Sequence, residues 1–336
     1  MMRDRRRLAD RSPEELQAER EQQLLERHSR GRSRLAQIVR GGAADLHLHS
    51  TASDGSDSPP ALLQAVMAQG LKAYALTDHD GIQGLQAMGL VRDKLEKLGM
   101  DLPAFIPGVE ISGVYDEGER KQEVHVLAYF PAGGIEELRP FLQEQRKNRD
   151  ARNRRMCERL QELGMLVTFE ELQGEGGEVL GRPHLATIMI RKGYANSHRD
   201  AFDRWLGSGK PAYVPRELPA VQVVLSIARG VGAVTVLAHP SLYRGWMDDE
   251  DRLRERLTEL QHAGLDGIEL YQNETKLEHA QVLSRIGAEM GFLPTIGSDY
   301  HGRNKTDVPM LRADKDMTEL LEPFEEILEE AAAEGE

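Results

Sequence analysis

Cysteine is almost absent: the 336 residues contain one, Cys157. No disulfide can form within the chain, and no thiolate cluster can hold a metal. Aromatic residues are scarce at 5%, and the apolar runs are short. None approaches the roughly 20 residues that cross a bilayer. No signal-peptide pattern opens the chain. These absences predict a soluble, cytoplasmic protein with no membrane partner. Positive charge is in deficit, 43 Lys and Arg against 56 Asp and Glu, for a net charge of −13. Long duplex DNA is therefore not an expected partner, since such binding needs many Lys/Arg–phosphate contacts. A nucleic-acid end or a nucleotide in a local basic pocket remains compatible. The sequence points to no protein partner.

What is present divides into four stretches. Residues 1–42 read as a charged helical arm, with eleven Arg and seven Asp or Glu in the first forty positions. Ser12-Pro13-Glu14-Glu15 is a helix start with Ser as N-cap, Pro at N1 and Glu at N3. The helix is expected to run to about Ser29, followed by a flexible GRSR stretch. From residue 43, short β-rich runs alternate with amphipathic helices. The strand runs include Ala43–His49, Leu71–Asp78, Ala104–Ile111 and Glu123–Phe130, and later Gly232–Ala238, Asp266–Tyr271 and Leu293–Gly297. Seven units of this kind predict an α/β class with a parallel, barrel-like sheet over 43–134 and 216–315. The alternation breaks over 135–215, which reads as a mainly helical insertion on the barrel. Residues 316–336 read as an acidic C-terminal helix and tail.

Ionisable residues recur at the strand ends. In DLHLHSTASDG, alternation puts His47 and His49 on one face, and Asp54 follows. ALTDHD carries Asp78, His79 and Asp80; PGVEIS carries Glu110; EVHVLAYF carries His125. AHP ends in His239, GIELY carries Glu269, and GSDYHG carries Asp299 and His301. In a parallel α/β barrel the C-terminal strand ends share one face, where active sites form. Six of the eleven histidines fall in these places. By contrast His28, His198, His262 and His279 sit in charged helical or loop contexts and read as surface residues. Six imidazoles, two Asp and one Glu exceed the needs of one ion, so two or three divalent metals are expected, with Glu110 bridging.

These motifs, in this order, resemble the PHP (polymerase and histidinol phosphatase) family of metal-dependent phosphoesterases over about residues 43–310. GRPHLA and AFDRWLGSGKPAYVP look like the subgroup that hydrolyses nucleoside 3′,5′-bisphosphates and trims short RNA from its 5′ end. The resemblance implies a distorted (β/α)7 barrel and a trinuclear site. His47, His49, Glu110 and Asp299 would hold one metal; Glu110, His125 and His239 a second; Asp54, His79 and His301 a third. It implies a metal-activated hydroxide, held by Glu110, His125, His239 and Asp299, attacking phosphorus in line. Mn²⁺ is the first expectation, with Zn²⁺, Fe²⁺ or Mg²⁺ as alternatives.

Arg182, His184, Lys210 and Arg216 are candidate phosphate contacts, Arg offering a fork matched to phosphate oxygens. Asp78 and Asp80 read either as orienters of histidine ligands or as turn caps. Glu269 is assigned no ligand role. Nucleotides or short RNA are thus the expected substrates. The competing readings are a phosphatase for a small metabolite such as histidinol phosphate, an amidohydrolase, and a non-catalytic metal-binding module. Amidohydrolases commonly use a strand-borne lysine as bridging ligand, and the only strand lysine, Lys72, lies at a strand beginning.

Overall fold

The computed structural model describes residues 12–118, 120–175 and 179–335. The first eleven residues of the predicted arm lie outside these. The first helix, α1, spans Pro13–Gly41. Its start is the expected capping box: Ser12 Oγ accepts from the Glu15 amide at 3.1 Å, and the Glu15 carboxylate accepts from the Ser12 amide at 2.8 Å. Its end corrects the sequence reading, because GRSR is helical and not a flexible stretch. Leu35, Ala36 and Val39 are buried in the main core, and Ser33 Oγ donates to the Ala332 carbonyl at 2.7 Å. This packing outweighs the poor helix propensity of Gly31 and Ser33. His28 is also drawn in, contrary to its reading as a surface residue. Its Nδ1 lies 2.8 Å from the Ala233 carbonyl and its Nε2 3.1 Å from Asp266.

Seven strands form one sheet in sequence order: β1 (Ala44–Leu48), β2 (Ala73–Leu76), β3 (Ala104–Asp116), β4 (Lys121–Tyr129), β5 (Val234–Leu237), β6 (Gly267–Tyr271) and β7 (Leu293–Ile296). The sheet nearly closes. The His49 amide donates to the Tyr300 carbonyl at 3.0 Å, and the Asp299 amide to the His47 carbonyl at 2.9 Å. Buried Asp45 ties the same seam, accepting from the Ser298 amide at 2.8 Å and the Leu311 amide at 3.0 Å. Burial pushes its pKa up to about 6.

One strand departs from the parallel barrel. β4 runs antiparallel to both β3 and β5, while the other neighbours are parallel. No helix separates β3 from β4; they form a hairpin paired from Gly108–Tyr129 to Asp116–Lys121. His125 therefore reaches the site face from the middle of β4, and Glu110 from the middle of β3.

The other crossovers are helical: α2 (Pro59–Ala68) and α3 (Gln83–Lys97) early in the chain. Between β4 and β5 lie α4 (Arg139–Glu162), α5 (Phe169–Gly174), α6 (Arg182–Arg191), the single turn α7 (His198–Ala201) and α8 (Val221–Arg229). Then follow α9 (Glu250–His262), α10 (Leu277–Glu289), α11 (Thr318–Leu321) and α12 (Glu325–Ala333), the last packed on α1. The strands and α8–α10 bury one apolar core between them, including Val109, Ile111, Val126, Val236 and Ile268. Helices α4 to α7 bury a second, around Leu160, Leu172, Leu185 and Ile188. Cys157 belongs to it, and burial pushes its thiol up to about 12, which keeps it unreactive.

Candidate metal centre

The strand geometry brings the predicted ligands together. His47 ends up inside β1 and His49 just beyond it, with ring centroids 5.1 Å apart. A bridge between His79 and Glu110 aligns the β2 end with β3. In the hairpin, Ser112 pairs with His125, so Glu110, Ser112 and His125 share a face. His239 follows β5, and Asp299 and His301 follow β7.

Glu110 is the centre of the cluster. Its Oε2 lies 3.3 Å from His47 Nε2, 3.2 Å from His49 Nε2 and 2.9 Å from His79 Nδ1. Its Oε1 lies 2.7 Å from His125 Nδ1 and 3.0 Å from His239 Nε2. Asp299 Oδ1 sits 3.5 Å from His47 Nε2 and 3.3 Å from His49 Nε2. Asp54 meets His301 Nε2 at 3.2 Å and His79 Nε2 at 3.8 Å. Three groups have ligand atoms close enough to hold an ion: His47, His49, Glu110 and Asp299; His49, Asp54, His79 and His301; and His79, Glu110 and His125. The groups differ from the sequence reading: His49 and His79 each belong to two, and His239, expected beside Glu110 and His125, belongs to none of the three, although its Nε2 is 3.0 Å from Glu110.

The donor set fits divalent metal ions. His47 Nε2, both His49 nitrogens, His79 Nδ1, Glu110 Oε2 and His239 Nδ1 are buried and make no well-aligned hydrogen bond within the protein. Burying so many unpaired polar atoms is costly. Imidazole and carboxylate together suit first-row divalent ions. The electrostatics of the cluster show the same mismatch. Burial opposes a charged His47, yet Glu269, Glu110 and Asp299 hold its pKa well above normal. Burial likewise opposes charge on His49 and His125, but carboxylate partners raise them to about 9 and about 10. His79 is lowered, chiefly by burial. Burial would raise Glu110; His79, His125 and His47 hold it well below the usual range.

Supporting residues fix the ligands. Glu269, given no role from sequence, is fully buried between two of them: its Oε1 lies 3.0 Å from His47 Nδ1, and its Oε2 accepts from the His239 amide at 2.8 Å. Such partners set the tautomer and orientation of ligating histidines. Gly297 makes this possible, because a Cβ there would lie 2.4 Å from His47 Cβ and 2.8 Å from Glu269 Oε1. Asp78 clamps the loop after β1, accepting from the Ser50 amide and hydroxyl at 2.8 Å and from Ser53 Oγ at 2.6 Å. It makes no bond to a histidine, so of the two readings the loop clamp is what is seen. His239, Asp299 and Asp80 all have positive φ, +32, +58 and +45. Left-handed non-glycine backbone is strained and collects at functional sites.

The cluster opens into a cavity of about 380 Å³. A larger one, about 640 Å³, lies between the end of α1, the start of β1 and residues 311–329, and contains none of the cluster. The chemistry places the site in the smaller. Arg182 and Arg216 line it, as expected, joined by Arg149 and Arg152 of α4. Buried Asp80 pairs with Arg149 and, at 2.8 Å, with Arg216. These two arginines hold the Asp80 pKa far down against the effect of burial. Lys305 donates to Asp299 Oδ2 at 2.6 Å and to Glu274 at 3.2 Å. Two expected phosphate contacts stand apart. Lys210 is exposed and outside the cavity lining, and His184 Nδ1 accepts from the Gly181 amide at 3.1 Å to cap its own helix. Arg149 and Arg152 escaped sequence reading because α4 carries arginines all round. The signal available was their i, i+3 spacing beside buried Asn153.

A family model described as PHP domain matches residues 45–208. The chain is 30% identical over 260 residues to the 5′-3′ exoribonuclease Rnm of Salmonella typhimurium, covering 76% of this chain and 84% of that one. It is 28% identical over 264 residues to the 3′,5′-nucleoside bisphosphate phosphatase of Chromobacterium violaceum, covering 76% and 86%. A solved structure described as an amidohydrolase from Chromobacterium violaceum, with bound sulfate and no metal, matches at TM-score 0.71 and 26% identity, over 86% of this chain and 96% of that one.

Proposed function

The chain belongs to the PHP family, and on that premise we propose that it hydrolyses phosphate esters of nucleotides, nucleoside 3′,5′-bisphosphates first and the 5′ ends of short RNA second. One observation carries the reading: a single cavity holds both a buried His/Asp/Glu cluster and four arginines. A nucleoside bisphosphate has two phosphates to place, and the cavity offers two kinds of site for them.

Divalent ions, Mn²⁺ foremost, held by this cluster would supply positive charge to phosphoryl oxygens and would lower the pKa of water toward neutrality. His47, His49, Glu110 and Asp299 would hold the first, Glu110, His125 and His239 the second, and Asp54, His79 and His301 the third. Glu269 keeps His47 in the tautomer that leaves Nε2 free. Asp80 fixes Arg149 and Arg216, and with Arg182 they take the phosphate that is not cleaved. That orientation sets the scissile ester beside the cluster and turns binding into alignment for in-line attack. The division into a barrel over 43–134 and 216–315 and an insertion over 135–215 belongs to the same proposal, the insertion supplying Arg149, Arg152 and Arg182.

A substrate panel tests it: 3′-phosphoadenosine 5′-phosphate, 5′-phosphorylated RNA oligomers, histidinol phosphate and p-nitrophenyl phosphate, each with and without Mn²⁺. The nucleotide substrates are expected to have the highest kcat/KM. Preference for histidinol phosphate would move the assignment to the small-metabolite phosphatases. No turnover of any would leave a metal-binding module.

A further inference from the structure

We propose that Phe202 and Leu242 form a slot that takes the nucleobase of the substrate by stacking, with little reading of base identity; this rests on the nucleotide reading above.

Most of the residues that line the cavity are charged or polar, and a nucleotide's base needs a place among them. Phe202, Pro183 and Leu242 supply its apolar surface. Tyr243 also lines it but is 7% exposed, with its hydroxyl taken up by the His125 amide at 2.7 Å. Leu242 is 44% exposed, in the turn just after His239. A lone exposed leucine needs no explanation. This one stands at the rim of a charged cavity whose lining also includes an aromatic ring from a different segment.

The ring is held by unusual backbone. Phe202–Leu206 is a π-helical turn, closed by the Gly207 amide donating to the Phe202 carbonyl at 2.9 Å. Such turns are rare and recur at functional sites. Gly207 is required for the closure, because a Cβ there would sit 2.7 Å from the Phe202 carbonyl oxygen.

Around the ring, cations and aromatics alternate. The Arg182 guanidinium lies 5.5 Å from the Phe202 centroid and 5.9 Å from that of Tyr213, and the Arg152 guanidinium lies 5.8 Å from that of Tyr213. Interleaved arginine and aromatic planes are the chemistry that holds single-stranded bases, and every base has a face to offer. Groups that read base edges are spent elsewhere. Gln122, the one amide in the lining, accepts from Arg120 and donates to the Glu123 carbonyl, both at 3.3 Å. Ser112 Oγ faces Asp80 at 3.5 Å.

The test compares adenosine, cytidine, guanosine and uridine 3′,5′-bisphosphates with an abasic sugar bisphosphate that keeps both phosphates. In the Phe202→Ala full-length enzyme, the base-bearing to abasic ratio of kcat/KM is expected to fall roughly five- to hundredfold, the worth of one stacked base. Phe202→Trp should restore the ratio, and Leu242→Ser should lower it in the same sense. The four bases should stay within a few-fold of one another in the wild type. Equal losses on base-bearing and abasic substrates, or an unchanged ratio, would overturn the slot. So would a wild-type preference of a hundredfold for one base. A binding readout separates this from the substrate assignment: calorimetry of AMP against ribose 5-phosphate, which needs no turnover. If bisphosphates prove to be non-substrates, weaker AMP binding alone in Phe202→Ala would still support the slot, and equal binding would refute it.

Discussion

Replacing Glu269 by glutamine tests whether a residue with no direct ligand role sets the metal affinity of the whole centre. The carboxylate uses both oxygens, one toward His47 Nδ1 at 3.0 Å and one accepting from the His239 amide at 2.8 Å. An amide has one oxygen. The His239 backbone N–H can only donate, so the Gln oxygen must turn to it and the NH2 must face His47 Nδ1. To accept, Nδ1 must lose its proton, which then moves to Nε2. That is the atom 3.3 Å from Glu110 Oε2 and 3.5 Å from Asp299 Oδ1, where a metal needs a lone pair. Loss of a hydrogen bond to a charged partner costs about 1.5–3 kcal/mol. At about 1.4 kcal/mol per decade, metal binding should weaken roughly ten- to hundredfold, the usual range for such supporting partners. The measurement is calorimetric titration of chelator-treated protein with Mn²⁺, with near-UV circular dichroism as the check on fold. Affinity within twofold of wild type, in a folded variant, would refute the tautomer argument.

Glu110→Gln should remove metal and activity together while the fold survives, since a neutral amide is a poor bridge; full metal occupancy with wild-type turnover excludes the bridging role. Arg182→Ala should cut kcat/KM for a 3′,5′-bisphosphate by roughly one to two decades, the worth of a charge-assisted bidentate contact, and alter p-nitrophenyl phosphate much less. Equal losses on both would place Arg182 at the reacting phosphate. In the metal-free protein His49 and His125 are raised to about 9 and about 10. Their stabilisation is complete below the unfolded pKa of about 6.5 and is lost as pH rises through 9 to 10. The melting temperature of metal-free protein should therefore fall between pH 7 and pH 10, and Mn²⁺ uptake at pH 8 should release protons, read from calorimetry in buffers of different ionisation enthalpy. A flat profile with no proton release contradicts those charge states.

The cluster is legible in the sequence because its chemistry is concentrated: paired histidines on one strand face, and Asp, His and Glu where strands end. Strand direction is not. EVHVLAYF reads the same whether β4 runs with or against its neighbours, and only the absence of a helix between Ile111 and Glu123 hinted at a hairpin. Helix α1 was read too short because Gly31 and Ser33 are poor helix formers, and nothing local shows that they face the barrel and α12. Glu269 and Asp80 were seen as charges near the site, but their roles depend on partners 30 and 222 residues away for Glu269 and 69 away for the Arg149 contact. Lys210 is the opposite case: a basic residue inside the resembling AFDRWLGSGKPAYVP segment, left exposed by the fold.

The β3–β4 hairpin also bears on the order of assembly. Glu110 and His125 are 15 residues apart in the chain, and their pairing closes a short loop of low entropic cost. His47 and His239 join them across longer separations, as β1 and β5 add to the sheet, and Asp299 meets His47 only when the seam between β1 and the segment after β7 forms. The first part of the centre can thus be local and early, and the rest waits on far less local contacts. Tight metal capture during refolding then becomes a clock for barrel closure: its rate should follow the slow, long-range step, whatever the speed of the hairpin.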